Sequence, residues 1–393
     1  MPHLDFANTS IAFQMHTDST LRRARLLFRS ISSNHLVKFG NQFINLMLRI
    51  GFPVAWFIKP TIYRQFVGGE NIAECQQTIA GLSRYNVNSI LDYSVEGKES
   101  EAEMEAALAE TLHSVENASK HPYVPFSVFK PTAFIPHSVL NKMANGKIPE
   151  GNDAVHVENF KRRVTLLCEA ASRSGKPILI DAEESWYQWF IDQVTEEMMQ
   201  RFNKQKALVF NTLQMYRHDR LAFLKEQHQK ALAGGYHLGV KFVRGAYMEK
   251  ERERAASLGY PSPIQPDKES TDHDFDSALT YCLENLGQIA VFCGTHNEKS
   301  CNHLVGLMMQ HNVAPNDHRI WFSQLYGMSD HISFNLAHAG FNVAKYVPYG
   351  PVKHVIPYLA RRAEENTSVK GQTGRELSLI SREISRRNQL KNR

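Results

Sequence analysis

A (β/α)8 barrel is the fold the sequence predicts, and three observations predict it. Past Tyr85, short apolar runs of five to eight residues alternate with amphipathic stretches of helical length; the runs number eight; and nearly all of them end on a polar side chain. The runs fall at 89–93, 126–130, 177–181, 207–211, 240–244, 289–293, 320–324 and 342–346, with helical stretches at 102–120, 159–174, 189–202, 217–233, 275–286 and 301–310 between them. Strand–helix alternation builds right-handed βαβ units on a parallel sheet, and eight units in about 280 residues suit a closed barrel. An open doubly wound sheet announces its dinucleotide site with GxGxxG after an early strand, and that motif does not occur. Ahead of the barrel, residues 20–28, 37–48 and 71–82 carry apolar side chains at three- and four-residue steps. The expected organisation is an N-terminal helical arm over 1–84, the barrel over 85–370 and a C-terminal helix or tail over 371–393.

Composition narrows the function classes. The 393 residues are 42% hydrophobic, which excludes a disordered or fibrous chain, and 45 basic against 40 acidic side chains leave a net charge of only +5. No basic helix, zinc-finger spacing or basic–aromatic repeat points to nucleic acid. Five cysteines without a CxxC pair fit a reducing compartment rather than a disulfide scaffold. The most apolar run, 50–58, is far too short to span a bilayer. Residues 1–31 lack the apolar core of a secretory signal, and Asp5 and Asp18 count against a transit peptide. The expected location is the cytoplasm, at the periphery of the inner membrane, or the matrix side of the mitochondrial membrane in a eukaryotic host.

In a barrel, the residues that end the strands line one site. Here they are Asp92, Lys130, Asp181-Ala182-Glu183-Glu184, Gln214, Lys241, Arg244-Gly245-Ala246, Thr295-His296-Asn297, Gln324-Leu325 and Tyr346. A basic residue followed by small ones, as at Arg244-Gly245-Ala246, admits close backbone approach to a phosphate-bearing ligand. Gln214 suits the edge of a heteroaromatic ring. A helix opened by Pro351 places Tyr358, Arg361, Arg362 and Glu365 within an arc of about 100°. Two readings of that face stay open at this point: a solvated charged surface, or a planar grip on a carboxylate. Neither His296 nor Asp272-His273-Asp274 belongs to a ligand set, so no metal is expected, and no Gly-x-Ser-x-Gly or activated cysteine offers a nucleophile.

The blocks Ile180-Asp-Ala-Glu-Glu184, Lys241-Phe-Val-Arg-Gly-Ala-Tyr247, Gly294-Thr-His-Asn297, Gln324-Leu-Tyr-Gly-Met328, Lys345-Tyr-Val-Pro-Tyr-Gly-Pro351 and Tyr358-Leu-Ala-Arg-Arg362 resemble, in order and spacing, those of proline dehydrogenase. The wording is closer to the monofunctional mitochondrial-type enzymes than to the bifunctional bacterial proteins. The resemblance implies a distorted (β/α)8 TIM-type barrel that holds FAD and oxidises L-proline to 1-pyrroline-5-carboxylate, with hydride passing from proline C5 to flavin N5. It implies that Lys130, Arg361 and Arg362 hold the carboxylate while Leu325, Tyr346 and Tyr358 pack around the ring. Ala182, Gln214, Lys241, Arg244, Gly245, Ala246, Thr295 and His296 are then the FAD contacts, Asp181 and Lys241 the groups at the reacting centre, and Glu96 and Glu365 partners for the arginines. Lys241 stands where many bacterial members carry Arg. A membrane quinone is the implied electron acceptor, and the 37–59 segment offers a face for peripheral membrane contact or for packing on the barrel. Hydroxyproline dehydrogenase and a non-flavin phosphate-binding barrel are the alternatives.

Overall fold

The computed structural model describes residues 4–33, 55–94, 99–368 and 372–392. The 37–48 helix expected from the sequence, most of the 37–59 face, Glu96 and the Glu365 side chain lie outside what is described. Eight parallel strands form a nearly closed, distorted (β/α)8 barrel: β1 (Asn88–Tyr93), β2 (Ser127–Phe129), β3 (Ile178–Ile180), β4 (Val209–Gln214), β5 (Leu238–Val243), β6 (Ile289–Gly294), β7 (Ile320–Leu325) and β8 (Val343–Tyr349). Their order is β1-β8-β7-β6-β5-β4-β3-β2. All eight apolar runs are strands. The differences lie at the ends: β4 and β8 each continue three residues further than their runs, which brings Gln214 onto β4 and Tyr346 to the middle of β8.

The chain divides into two compact units, 96–323 and the pair of segments 1–95 with 324–393. In the first, long helices cover the strands. The helix Glu101–Lys120 starts with a capping box, Ser100 and Glu103 each bonding the other's backbone N–H. It packs on the helix Asn152–Ser174, where the wholly buried Arg163 reaches Glu101, Glu105 and the Phe134 carbonyl. An apolar residue could not satisfy that carbonyl.

In the second unit β1 pairs in parallel with β8 from Asn88↔Ala344 to Tyr93↔Tyr349. Gly68-Gly69, a breaker in the sequence, lies along β8: the Gly68 N–H donates to the Pro348 carbonyl at 2.8 Å and the Gly350 N–H to the Gly69 carbonyl at 3.1 Å. Thr17 caps the helix Asp18–Ile31, whose Leu21, Ala24, Phe28 and Ile31 share one face by their three- and four-residue spacing. That face is buried in one apolar cluster with Val355, Leu359 and Ala363 of the helix Val352–Ser368 and with Leu379, Ile380 and Ile384 of the helix Gln372–Lys391. Burial of four such side chains stabilises the fold by several kcal/mol, at roughly 1.5–3 kcal/mol for each large one.

Candidate functional site

Within 96–323 the inner wall of the barrel changes character along the strands. Phe126 packs edge-on against Phe210, Phe292 and Trp321 at centroid separations of 5.1–5.6 Å, so these rings point inward. Alternation then carries Thr212 and Gln214 of β4, Gly294 of β6 and Ser323 of β7 to the same inner face, nearer the strand ends. Register sets Thr212 beside Lys241 and Gly294 beside Ser323. An aromatic floor therefore gives way to a layer of small, polar and cationic groups.

Lys241, buried on β5, donates from its ammonium to Asp181 at 2.6 Å. Asp181 follows β3 directly, so the successive β3–β4 and β4–β5 pairings fix the distance between the two charges. Gln214 donates to the Glu183 carbonyl at 2.5 Å, which orients its amide. Arg244 spreads its guanidinium over Asp272 (Nε, 2.7 Å), Thr295 (Nη1, 2.6 Å) and Ser300 (Nη2, 3.0 Å), stacked 4.4 Å above the Phe275 ring. Burial raises the Asp272 carboxyl, but Lys268 and Arg244 outweigh it and hold it below the usual range. Gly245 has a packing reason for its size: a Cβ there would fall 2.5 Å from the Tyr216 ring. Gly245 and Ala246 are exposed, Ala182, His296 and Lys130 are half-buried, and Lys130 directly follows β2.

The structure adds groups that had no assigned role at the sequence level. The Thr212 and Ser323 hydroxyls are fully buried with no hydrogen-bond partner. Glu251, wholly buried, accepts from the Ser185 N–H at 2.7 Å and hydroxyl at 2.5 Å. Glu183 accepts from the Thr132 N–H at 3.0 Å and hydroxyl at 2.7 Å. Burial, helped by the charge of Glu184, pushes the Glu183 carboxyl up to about 8 against the pull of Thr132 and Lys130. Its folded value stands above the unfolded one near 4.5, so between the two the fold holds a proton that the unfolded chain releases, and stability falls as pH rises through that window. Glu183→Gln keeps the shape and removes the titration. Thermal melts should show a smaller loss of Tm between pH 6 and 9 in the variant, and an unchanged loss would refute the assignment.

Within the other unit, Tyr346 is buried on β8 and its carbonyl accepts from the Tyr326 N–H at 2.8 Å. Leu325, half-buried at the end of β7, packs against the cluster that contains Tyr358. On the helix Val352–Ser368, Arg362 is buried with its guanidinium 5.2 Å above the Tyr358 ring, while Arg361 is half-buried. Arg362 is therefore not a solvated surface charge. All five cysteines are buried, and burial raises each thiol above its usual range, to about 12 for Cys75 and Cys293. None is an activated nucleophile.

A parallel barrel whose inner wall turns polar and cationic toward the strand ends defines a barrel enzyme rather than an inert scaffold. The family model described as proline dehydrogenase matches residues 75–375, and the chain belongs to that family of oxidoreductases. "Proline dehydrogenase 1, mitochondrial" of Dictyostelium discoideum is 30% identical over 92% of the chain and 71% of its own length. "Hydroxyproline dehydrogenase" of Xenopus laevis is 30% identical over 98% of the chain and 90% of its length. Among solved structures, proline utilization A (PutA) of Bdellovibrio bacteriovorus superimposes with a TM-score of 0.72 at 20% identity, over 92% of this chain. The chain spans 38% of that protein, and the likeness there is one of fold.

Proposed function

We propose that the chain is a flavin-dependent L-proline dehydrogenase that forms 1-pyrroline-5-carboxylate, the first step of proline breakdown toward glutamate. The observation that carries this reading is the Lys241–Asp181 ion pair at the polar end of the barrel wall, in the same stretch of wall as two unpartnered buried hydroxyls, Thr212 beside Lys241 and Ser323 beside Gly294. The donor set there suits FAD: a fixed amide (Gln214), an ammonium (Lys241), a guanidinium (Arg244), a hydroxyl (Thr295) and an imidazole (His296), beside the exposed backbone of Gly245 and Ala246 and next to Ala182. The Thr212 and Ser323 hydroxyls are groups that a polar ring edge would satisfy. When bound, the flavin supplies the two-electron acceptor that no side chain can provide.

The residues of the chain bind and orient. Lys130, Arg361 and Arg362 hold the substrate carboxylate, and Leu325, Tyr346 and Tyr358 enclose the ring and exclude water, which fixes C5 for transfer. Asp181 holds the Lys241 ammonium in place. The substrate amine loses its proton to water, so its lone pair forms the C=N bond as hydride leaves C5. No side chain is required as a base.

A second reading, hydroxyproline dehydrogenase, draws on the Xenopus relative. Tyr346 favours proline, because a buried phenol against the ring leaves little room for a 4-hydroxyl. Visible absorbance of the purified protein, bleached by proline, tests the function. We expect kcat/KM for proline to exceed that for trans-4-hydroxyproline more than tenfold, the size of one well-placed steric or polar contact, and equal values would overturn the choice.

A membrane quinone is the proposed acceptor, reached from a membrane surface. Among the described residues no helix is long and apolar enough to cross a bilayer. Trp56 and Phe57, at the described edge of the 37–59 segment, are 75% and 49% exposed, which supports contact with the headgroup region. Cosedimentation with anionic liposomes that survives Trp56→Ala/Phe57→Ala would count against that role for the two rings.

A further inference from the structure

Lys345 precedes Tyr346 in β8, is wholly buried, and has no part in the site set out above. Alternation along the strand turns it to the face opposite Tyr346. Its ammonium has three acceptors for three protons: the Asp330 carboxylate at 2.7 Å, the Met328 carbonyl at 2.5 Å and the Leu325 carbonyl at 3.4 Å. The second Asp330 oxygen lies 2.7 Å from His16 Nε2, and Arg387 donates to the His16 carbonyl at 2.8 Å. Asp330 also opens the helix Asp330–His338, where the helix end favours a carboxylate.

These charges surround the turn that leaves β7. The Tyr326 N–H donates to the Tyr346 carbonyl, the Gln65 amide to the Gly327 carbonyl at 2.9 Å, and the Ser329 N–H to Glu376 at 2.9 Å. Gly327 has φ +77°, with no room for a Cβ, which would stand 1.9 Å from the Gln65 carbonyl oxygen. Ser329 takes φ +51°, a conformation that a residue with a side chain seldom adopts unaided. Such a turn is held by its contacts rather than by local preference. Two of those contacts end on the backbone of the residues assigned to the substrate ring, Leu325 and Tyr346. A buried ion pair is a costly way to fill space, whereas its directional bonds specify one arrangement.

We propose that Lys345, Asp330 and His16 are positioning residues that set the substrate-ring pocket by locking the Leu325 turn onto the Tyr346 strand, and through it the choice between proline and a 4-hydroxylated ring. The inference rests on the proline dehydrogenase reading of Leu325 and Tyr346. His16 is the place to test it, because its removal frees one Asp330 oxygen and leaves the Lys345–Asp330 pair intact.

The experiment compares wild type, His16→Ala, His16→Gln and Asp330→Asn as flavin-loaded enzymes, with kcat and KM for proline and trans-4-hydroxyproline and flavin content by visible absorbance. His16→Ala should lower the ratio of the two kcat/KM values about fivefold, mostly through the proline KM, as expected for a small misplacement of binding groups. Flavin content should stay at the wild-type level. His16→Gln keeps a donor toward Asp330 and should recover most of the ratio, and Asp330→Asn should lower it further. A ratio unchanged in both His16→Ala and Asp330→Asn overturns the proposal, whatever happens to Tm. Wild-type enzyme that leaves proline unoxidised overturns the parent reading and this one with it.

Discussion

Arg362→Ala should raise the proline KM more than tenfold while flavin stays bound. Arg362 is buried on the helix Val352–Ser368 with its guanidinium over the Tyr358 ring, so an anion held there would lie in a dry setting where water does not weaken the attraction. Truncating one partner of a desolvated charge clamp costs about 2–5 kcal/mol, which corresponds to at least about thirtyfold in affinity. Arg361 is half-buried, and its truncation should cost less. Steady-state kinetics with the visible spectrum as a control separates the outcomes. Loss of flavin with an unchanged KM in the remaining holoenzyme would falsify the assignment.

Lys241→Met should lower kcat about a hundredfold, the loss typical of removing one preorganised donor at a reacting centre. It should also destabilise the fold. Lys241 and Asp181 have side-chain exposures of 7% and 15%, and removing one partner strands the other's charge in a largely dry place. The double variant Lys241→Met/Asp181→Asn distinguishes the two effects. It carries no stranded charge, so Tm should recover while kcat stays low. Recovery of both would reduce the pair to a structural strut.

All eight strands were legible because a strand covered on both faces reads as a short apolar run, and the polar ends of those runs marked the site. Among the helices that were not legible, two escaped for opposite reasons. Met248–Leu258 buries only Glu251 and Ala255 and so shows no apolar stripe. Asp330–His338 buries eight of its nine residues, all but His338, and so has no polar face to set a period. The unassigned parts of the site share a different cause. Glu183, Thr212 and Ser323 take their meaning from what lies beside them across strands, and pairing partners are not written in local sequence. Lys345 is the sharpest case: it stands inside a motif block, yet its role depends on Asp330, fifteen residues earlier, and on His16 near the chain's start.

The apolar cluster that joins the helix Asp18–Ile31 to the last two has a consequence for synthesis. Leu21, Ala24, Phe28 and Ile31 leave the ribosome early, and their partners from Val352 onward arrive roughly 300 residues later, on the order of 15 to 60 s at ordinary elongation rates. Residues 96–323 emerge whole in the interval and can collapse on their own contacts. Until then the greasy face of that helix has only the early members of its cluster to cover it, such as Tyr63 and Phe66, whose ring meets Phe28 edge-on, and this is the interval in which a holdase chaperone has most to protect.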